Sequence, residues 1–308
     1  MARHLRVGAA QLGPIHLSDN RGSVVERLIR LLGKAHGSGC GFVVFPELAL
    51  TTFFPRYYME NQDDVDAYFE REMPGPETAP LFEEAKRLGI GFHLGYAELA
   101  GEHHFNTAIL VDRDGAIVGK YRKIHLPGHA DHWPDAPFQH LEKRYFEVGD
   151  LGFPVWRAFD GIFGMCICND RRWPETFRVM GLQGVEMVVL GYNTPTDNIY
   201  HREPVHRRMF HHLLSLQAGA YQNGTWVVAA GKAGKEDGYG LIGGSAIVAP
   251  TGEIVAQSIT EEDELIAYDC DLDVGRDIKE NIFNFDKHRR IEHYGLIASQ
   301  TGVVPPPK

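Results

Sequence analysis

The sequence predicts an α/β fold, a layered sandwich around mixed β-sheet, and three observations lead there. Short, continuously apolar runs such as Gly41-Phe-Val-Val-Phe45 and Gly161-Ile-Phe-Gly-Met-Cys-Ile-Cys168 mark strands covered on both faces. Early in the chain such runs alternate with amphipathic helical patterns, and later they come as paired strands with hairpin turns. No GxGxxG or P-loop pattern opens a helix, which separates this fold from the doubly wound nucleotide-binding sheets.

Leu5-Arg-Val-Gly-Ala-Ala-Gln11 reads as the first strand, closed by Gly13-Pro14. Ser18-Asp19-Asn20 offers caps for a helix running to about Lys34, with Val24, Val25, Leu28, Leu31 and Leu32 along one face. The Gly41 to Phe45 strand is stopped by Pro46, and Glu47 follows at once. Ala79 to Leu88 is a second amphipathic helix feeding a strand from Ile90 to Leu99. Phe105 to Val111 and Ala116 to Lys123 pair across the turn Asp112-Arg-Asp-Gly115. His125 to Asp150 is polar, aromatic and His-rich without clear periodicity, the mark of a functional loop in a compact enzyme. The Cys168 strand, a helix from Pro174 to about Leu182 and a strand from Glu186 to Leu190 follow. A long helix over roughly His206 to Gln222 precedes strands at Trp226 to Ala230, Ser245 to Val248, Ile254 to Gln257 and Leu265 to Asp271. Pro250-Thr-Gly-Glu253 is the hairpin turn between two of these. No composition break marks a linker, so residues 1–308 are read as one domain with a tail over about 299–308. The Pro-rich end of that tail, Val303 to Lys308, is expected to be mobile or draped on a partner subunit.

Composition narrows the function. A hydrophobic fraction of 44% and a charged fraction of 23% are ordinary for a chain with a sizeable core. The net charge of −10 argues against nucleic-acid and anionic-membrane partners, which want excess Lys and Arg, so any anion site must be local. The four cysteines form no disulfide framework in 308 residues, and reduced thiols in a cytoplasmic protein are the simpler reading. The first residues show no apolar core of signal-peptide length and no apolar run is long enough to span a membrane, so a soluble, intracellular protein is expected. His125 and His129 have helical ligand spacing, but Pro127-Gly128 between them forbids a helix and no Cys-x-x-Cys pair exists, so no metal or other cofactor is expected.

The stretch that carries chemistry is Ile167-Cys168-Asn-Asp-Arg-Arg-Trp-Pro-Glu175. An apolar strand ends at Cys168, and Pro174 and Glu175 open a helix. A thiol at a strand end near a helix N-terminus is expected to favour the thiolate, whereas Cys166, flanked by apolar residues, is expected only to pack. Glu47 and Lys123 share the strand-end situation, and carboxyl ends of neighbouring strands are where α/β sheets assemble sites. Glu47 suits proton removal from the thiol, and Lys123 suits the charge that develops on an attacked carbonyl oxygen. Arg171 and Arg172 offer planar forks for a substrate carboxylate.

The segments Phe-Pro-Glu47-Leu, Gly-Lys-Tyr-Arg-Lys123-Ile-His-Leu-Pro-Gly and Ile-Cys168-Asn-Asp-Arg-Arg-Trp-Pro-Glu resemble the three signature motifs of the nitrilase superfamily of carbon–nitrogen hydrolases. Pro46 to Arg56, Pro137 to Glu147, Gly191 to Thr196 and His293 to Ala298 resemble its N-carbamoyl-D-amino-acid amidohydrolase branch, and the likeness runs from about Val7 to Ala298. The resemblance implies a four-layer αββα sandwich, assembled as dimers or tetramers. It assigns Cys168 as nucleophile, Glu47 as general base, Lys123 as stabiliser of the tetrahedral intermediate and Glu142 as a further carboxylate near them. Asn193 and Thr194 resemble residues that meet the substrate carboxylate, and His125 and His140 match pocket histidines. The implied reaction is hydrolysis of N-carbamoyl-D-amino acids through an S-carbamoyl enzyme. The alternative is another thiol amidase of the superfamily, acting on a simple amide or a β-ureido acid. The likeness weakens over the loops 197–209 and 232–243, which are expected to shape side-chain preference.

Overall fold

The computed structural model describes residues 2–197, 199–200 and 203–307. Met1 and Lys308, at the two ends of the predicted domain, and Asn198, His201 and Arg202, within the 197–209 loop singled out above, lie outside the described residues.

Two six-stranded mixed sheets form the middle of the sandwich. The first half of the chain supplies β1 (His4–Gln11), α1 (Arg21–Gly37), β2 (Phe42–Val44), the short α2 (Gln62–Asp66), α3 (Ala79–Leu88), β3 (Gly91–Ala100), β4 (His103–Val111), β5 (Ile117–Arg122) and the one-turn α4 (Glu142–Tyr145). The second half supplies β6 (Val155–Ala158), β7 (Gly161–Ile167), α5 (Pro174–Leu182), β8 (Met187–Tyr192), α6 (Val205–Asn223), β9 (Trp226–Gly231), β10 (Ala233–Glu236), β11 (Tyr239–Ile242), β12 (Ala246–Val248) and β13 (Ile254–Gln257). The chain then returns to the first sheet as β14 (Glu264–Asp271) and ends in α7 (Phe285–His288) and α8 (Gly295–Ser299).

The first sheet has the order β14-β1-β2-β3-β4-β5 and the second β13-β12-β9-β8-β7-β6. In each, the central pairs are parallel (β1 with β2 and β2 with β3; β7 with β8 and β8 with β9) and the outer pairs antiparallel. Parallel neighbours need a crossover, and helices α1, α3, α5 and α6 provide one at each step. Val24, Val25, Leu28, Leu31 and Leu32 of α1 pack with Leu81 and Phe82 of α3 on Val43, Phe92 and Leu94 of the first sheet. Phe177 and Met180 of α5 and Leu216 and Ala220 of α6 cover the second sheet, while Val7, Phe42, Val44 and Leu110 face it from the first. The layers are therefore helix, sheet, sheet, helix, as the resemblance implies.

Most expected elements lie where the periodicity puts them, and α3 and α5 match to the residue. Asn20 caps α1 by accepting from Ser23 N at 2.8 Å, and the helix runs past Lys34 to Gly37. The short helices α2, α4, α7 and α8 escape the pattern, and so do two strand features. β6 is a four-residue edge strand in which Arg157 breaks apolar continuity, and the β10–β11 hairpin carries Gly234, Lys235 and Glu236, residue types depleted in strands. The expected functional loop after Lys123 contains α4, which carries Glu142.

Candidate active site

Each expected reactive residue sits at or just past the end of a strand. Glu47 follows β2 across Phe45-Pro46, where Gly95 N donates to Pro46 O at 3.2 Å and Ala49 N to Gly95 O at 2.8 Å. The Glu47 backbone passes between the two sheets at a point that only glycines permit. A Cβ on Gly95 would lie 2.7 Å from Glu47 Cα, and one on Gly191 would lie 2.2 Å from Glu47 N. Lys123 follows β5, its N–H donating to Asn106 O at 2.8 Å. Cys168 follows β7 with φ of +47°, a left-handed conformation uncommon for a non-glycine residue, and opens a 3-10 turn, Cys168–Arg172.

That turn is built by Asp170, a buried carboxylate without an expected role. Its Oδ2 accepts from Ile167 N at 3.0 Å and from Tyr121 Oη at 2.8 Å, and its Oδ1 accepts from His125 N at 2.9 Å and contacts His125 Nδ1 at 2.8 Å. The Cys168 strand end is thus fastened to the strand end that carries Lys123. Asn169 adds a bond from Nδ2 to His125 O at 3.0 Å.

Lys123 Nζ, fully buried, donates to Glu47 Oε1 at 2.7 Å and to Glu142 Oε2 at 2.5 Å, and both carboxylates are also fully buried. Asn106 Nδ2 donates to Glu47 Oε1 at 2.8 Å and Asn193 N to Glu47 Oε2 at 2.8 Å, while His140 Nε2 lies 3.2 Å from Glu142 Oε1. Two carboxylates on one ammonium cannot be equivalent. Burial and the charge of Glu142 hold the Glu47 carboxyl above its ordinary pKa against Lys123 and Asn106, while at Glu142 the attraction of Lys123 and His140 overcomes burial and the pKa falls. Burial works against the Lys123 charge, but Glu142 and Glu47 outweigh it and keep the side chain an ammonium.

The Cys168 thiol points toward Asn193 O, 3.7 Å away, and burial followed by the Glu47 charge pushes its pKa up, against the pull of Lys123 and Arg171. Burial thus works against the thiolate expected from a helix N-terminus. The helix itself stands off: it begins only at Pro174, so its free N–H groups lie beyond the 3-10 turn. Cys166 is sealed in the core.

The residues expected to hold substrate divide sharply. Arg171 is buried, with Nε donating to His212 Nδ1 at 3.0 Å, Nη1 to Cys168 O at 2.6 Å and Nη2 to Thr194 Oγ1 at 2.8 Å, and its guanidinium lies over the Tyr192 ring. Its fork is spent on the scaffold, which corrects the expectation that it faces a carboxylate, and Thr194 is its acceptor. His212 is held neutral by burial and by Arg171, so its proton sits on Nε2, toward Gly244 O. Asn193 serves Glu47 twice, through its backbone N–H and through Nδ2 to Glu47 O at 2.8 Å. His125 is tied to Asp170 and stacked on Trp173, and His140 is tied to Glu142. Arg172 alone of this group makes no hydrogen bond or ion pair with another described residue. Asn106 and Asp170 went unnoticed in the sequence, although Asp170 stands inside the motif itself; a buried acid beside two arginines was the available signal.

A thiol, a carboxyl of raised pKa and a permanent ammonium in one buried cluster can add sulfur to a carbonyl and move the proton that this releases. Comparison with known proteins agrees with that chemistry. The family model for carbon-nitrogen hydrolases matches residues 6–280. The N-carbamoylputrescine amidase of Arabidopsis thaliana is 31% identical over 301 residues, covering 92% of this chain and 93% of that protein. A nitrilase of Pyrococcus abyssi is 30% identical, covering 94% and 99%. Among solved structures, a carbon-nitrogen hydrolase from Helicobacter pylori superposes with a TM-score of 0.83 at 25% identity, covering 96% of this chain and 99% of that one. A chain that shares motif, fold and family model over nearly its whole length belongs to the carbon-nitrogen hydrolases of the nitrilase superfamily.

Proposed function

We propose that this protein is a thiol-dependent amidase that hydrolyses N-carbamoyl amino acids, preferring the D configuration, to amino acid, carbon dioxide and ammonia. Glu47 takes the proton of the Cys168 thiol as the sulfur attacks the ureido carbon, and Lys123 with the backbone N–H groups near Asn169 stabilises the oxyanion. The C–N bond to the amino acid breaks, and Glu47 gives its proton to the departing amine. Water then attacks the S-carbamoyl group, Glu47 removes the water proton, and the thiol leaves with it. The released carbamate decomposes to carbon dioxide and ammonia. Glu142, of lowered pKa, keeps its negative charge opposite Lys123 throughout, so the mobile proton belongs to Glu47.

The observation that carries the choice of a carboxylate substrate is Arg172. Its side chain reaches solvent without a hydrogen bond or ion pair to another described residue, and burial, with the charge of Arg171 second, pushes its pKa down to about 10. Arg208 stands in the same field, and among the described residues its ion-pair partner is Glu203 at 3.4 Å. An anionic substrate end relieves that imbalance, whereas the cationic end of N-carbamoylputrescine adds to it. The D preference rests on the sequence likeness to the D-carbamoylase branch.

Ammonia release measured on N-carbamoyl-D- and L-phenylalanine, N-carbamoyl-D-alanine and N-carbamoylputrescine tests the reading. The carboxylates are turned over in preference to the putrescine compound, and the D forms in preference to the L. Arg172→Gln lowers kcat/KM for carboxylates by about 10- to 100-fold, the worth of a charge-assisted hydrogen bond, mainly through KM. Preference for the putrescine compound, or no loss in Arg172→Gln, rejects the carboxylate reading; equal rates on D and L forms reject the chirality.

A further inference from the structure

A second buried ionic cluster lies apart from the Lys123 cluster, and the chemistry above does not use it. Lys232, just past β9, and Glu236, at the end of β10, are both fully buried, with Lys232 Nζ 2.9 Å from Glu236 Oε1. Lys232 Nζ also donates to Thr51 O at 2.8 Å. Glu236 accepts Ile15 N at 3.2 Å on Oε1 and Phe53 N at 3.0 Å on Oε2, where the Arg56 guanidinium also approaches at 3.4 Å. Arg56 Nη1 donates to Glu236 O at 3.2 Å, and its guanidinium lies between the Phe53 and Tyr239 rings. Apart from the Lys232–Glu236 pair itself and the Ile15 bond, these contacts close on one stretch, residues 51–56.

That stretch bears on both carboxylates of the Lys123 cluster. It continues directly from Glu47 through a tight turn in which Leu48 takes a positive φ and Thr51 N donates to Leu48 O at 3.4 Å. On its other side, Leu141 N donates to Pro55 O at 2.7 Å and Gln139 N to Arg56 O at 3.0 Å, which sets the position of His140 and Glu142. Glu47 and Glu142 are far apart in sequence, and residues 51–56 are the piece of backbone they share. The cost of the second cluster also needs a return. A buried ion pair is weak evidence for stability, and a hydrophobic packing of the same volume often does as well.

We propose that Glu236 is a positioning residue for the reaction: it fixes residues 51–56, and through them the two carboxylates that grip Lys123 beside Cys168. It touches neither substrate nor reacting atoms. The inference rests on the thiol mechanism proposed above, but not on the identity of the substrate.

Alkylation of Cys168 by iodoacetamide, followed against pH in the whole protein, reads the arrangement without any substrate. Two variants are compared with wild type: Glu236→Gln, which removes the charge, and Glu236→Asp, which keeps the charge opposite Lys232 and Arg56 and shortens the reach. Each is assayed below its melting temperature with the folded fraction checked by circular dichroism. Glu236→Gln leaves the Lys232 charge uncompensated and lowers the Glu47 pKa by charge alone, so Glu236→Asp decides: loosening residues 51–56 admits water to Glu47, and the acid limb of its alkylation profile moves to lower pH, toward an ordinary carboxylate. In turnover, kcat falls on the order of 100-fold, the penalty for an ångström of misplacement, while KM changes less. A Glu236→Asp alkylation profile that superimposes on wild type or moves to higher pH overturns the proposal, whatever happens to the melting temperature. Wild-type protein that alkylates in this way but turns over no N-carbamoyl amino acid rejects the substrate reading, and the alkylation comparison still decides the role of Glu236.

Discussion

Glu47 and Glu142 hold the same ammonium and differ in one respect that matters: the first is held above its ordinary pKa and the second below. The sign of the pH dependence follows. Glu47 must be ionised to accept the thiol proton, so activity rises as pH climbs through its raised pKa, and the acid limb of kcat/KM lies above the reference carboxylate value of about 4.3. A limb at or below that value assigns the base elsewhere. Glu142 acts in the opposite sense on stability: its lowered pKa contributes stability above the ordinary carboxylate range, and this is lost as pH falls through the folded value. Glu47→Gln leaves the hydrogen-bonding shape but no base, and kcat is expected to fall about 100- to 10,000-fold, with Cys168→Ala inactive; retention of wild-type kcat by either variant ends the thiol mechanism. At this scale the sequence was legible where a residue's neighbours fixed its position along a strand, as for Glu47, Lys123 and Cys168. It was not legible at Arg171 and Arg172. Successive side chains on a 3-10 turn point about 120° apart, so adjacent, chemically identical residues go to the core and to solvent, and no pattern in the letters separates them.

The elements that deliver these side chains depend on how closely two sheets can approach around one backbone segment. Gly95 in β3 and Gly191 in β8 face the Glu47 backbone from opposite sides, and neither has the positive φ that usually explains a fixed glycine. Their reason is space. Gly191→Ala puts a methyl group 2.2 Å from Glu47 N, against backbone that cannot swing aside like a flexible side chain. Overpacking of this kind costs about 1–3 kcal/mol, and the displacement falls on Glu47, so activity is expected to drop further than the melting temperature alone requires. A variant that melts earlier with undiminished kcat in its folded fraction would show that Glu47 tolerates the shift. Periodicity revealed the strands but not this contact, because a glycine inside an apolar run reads only as a weaker strand. The β10–β11 hairpin was hidden for a related reason: its residues make poor strand, and Glu236 is held in place by Lys232, Arg56 and the Phe53 amide, partners remote in sequence or chosen by the tertiary fold.

The whole molecule has two outer helical faces, and they are unlike. The outward side of α1 carries Glu26, Arg30 and Lys34, an ordinary solvated surface. The outward side of α6 carries Phe210 at 59% exposure, Leu214 at 50% and Tyr221 at 39%, a stripe at helical spacing, and α5 beside it adds Val179 and Leu182. Ile291, Leu296 and Ile297 of the C-terminal segment are exposed as well. Contiguous exposed apolar surface of this kind marks an interaction site. The resemblance implies a homo-oligomer, and on this chain the α5–α6 face is where one two-fold contact would cover the stripe on both copies at once and close. With a net charge of −10 on each chain, repulsion opposes the pairing, so added salt should strengthen it, the reverse of an interface held by ion pairs. Sedimentation equilibrium is expected to find a dimer or a multiple of it at micromolar concentration, tighter at high salt. Phe210→Glu with Leu214→Glu should release monomers that keep the fold, since neither side chain reaches the core. A wild-type protein that sediments as a monomer at every concentration and salt would leave the stripe to a different partner.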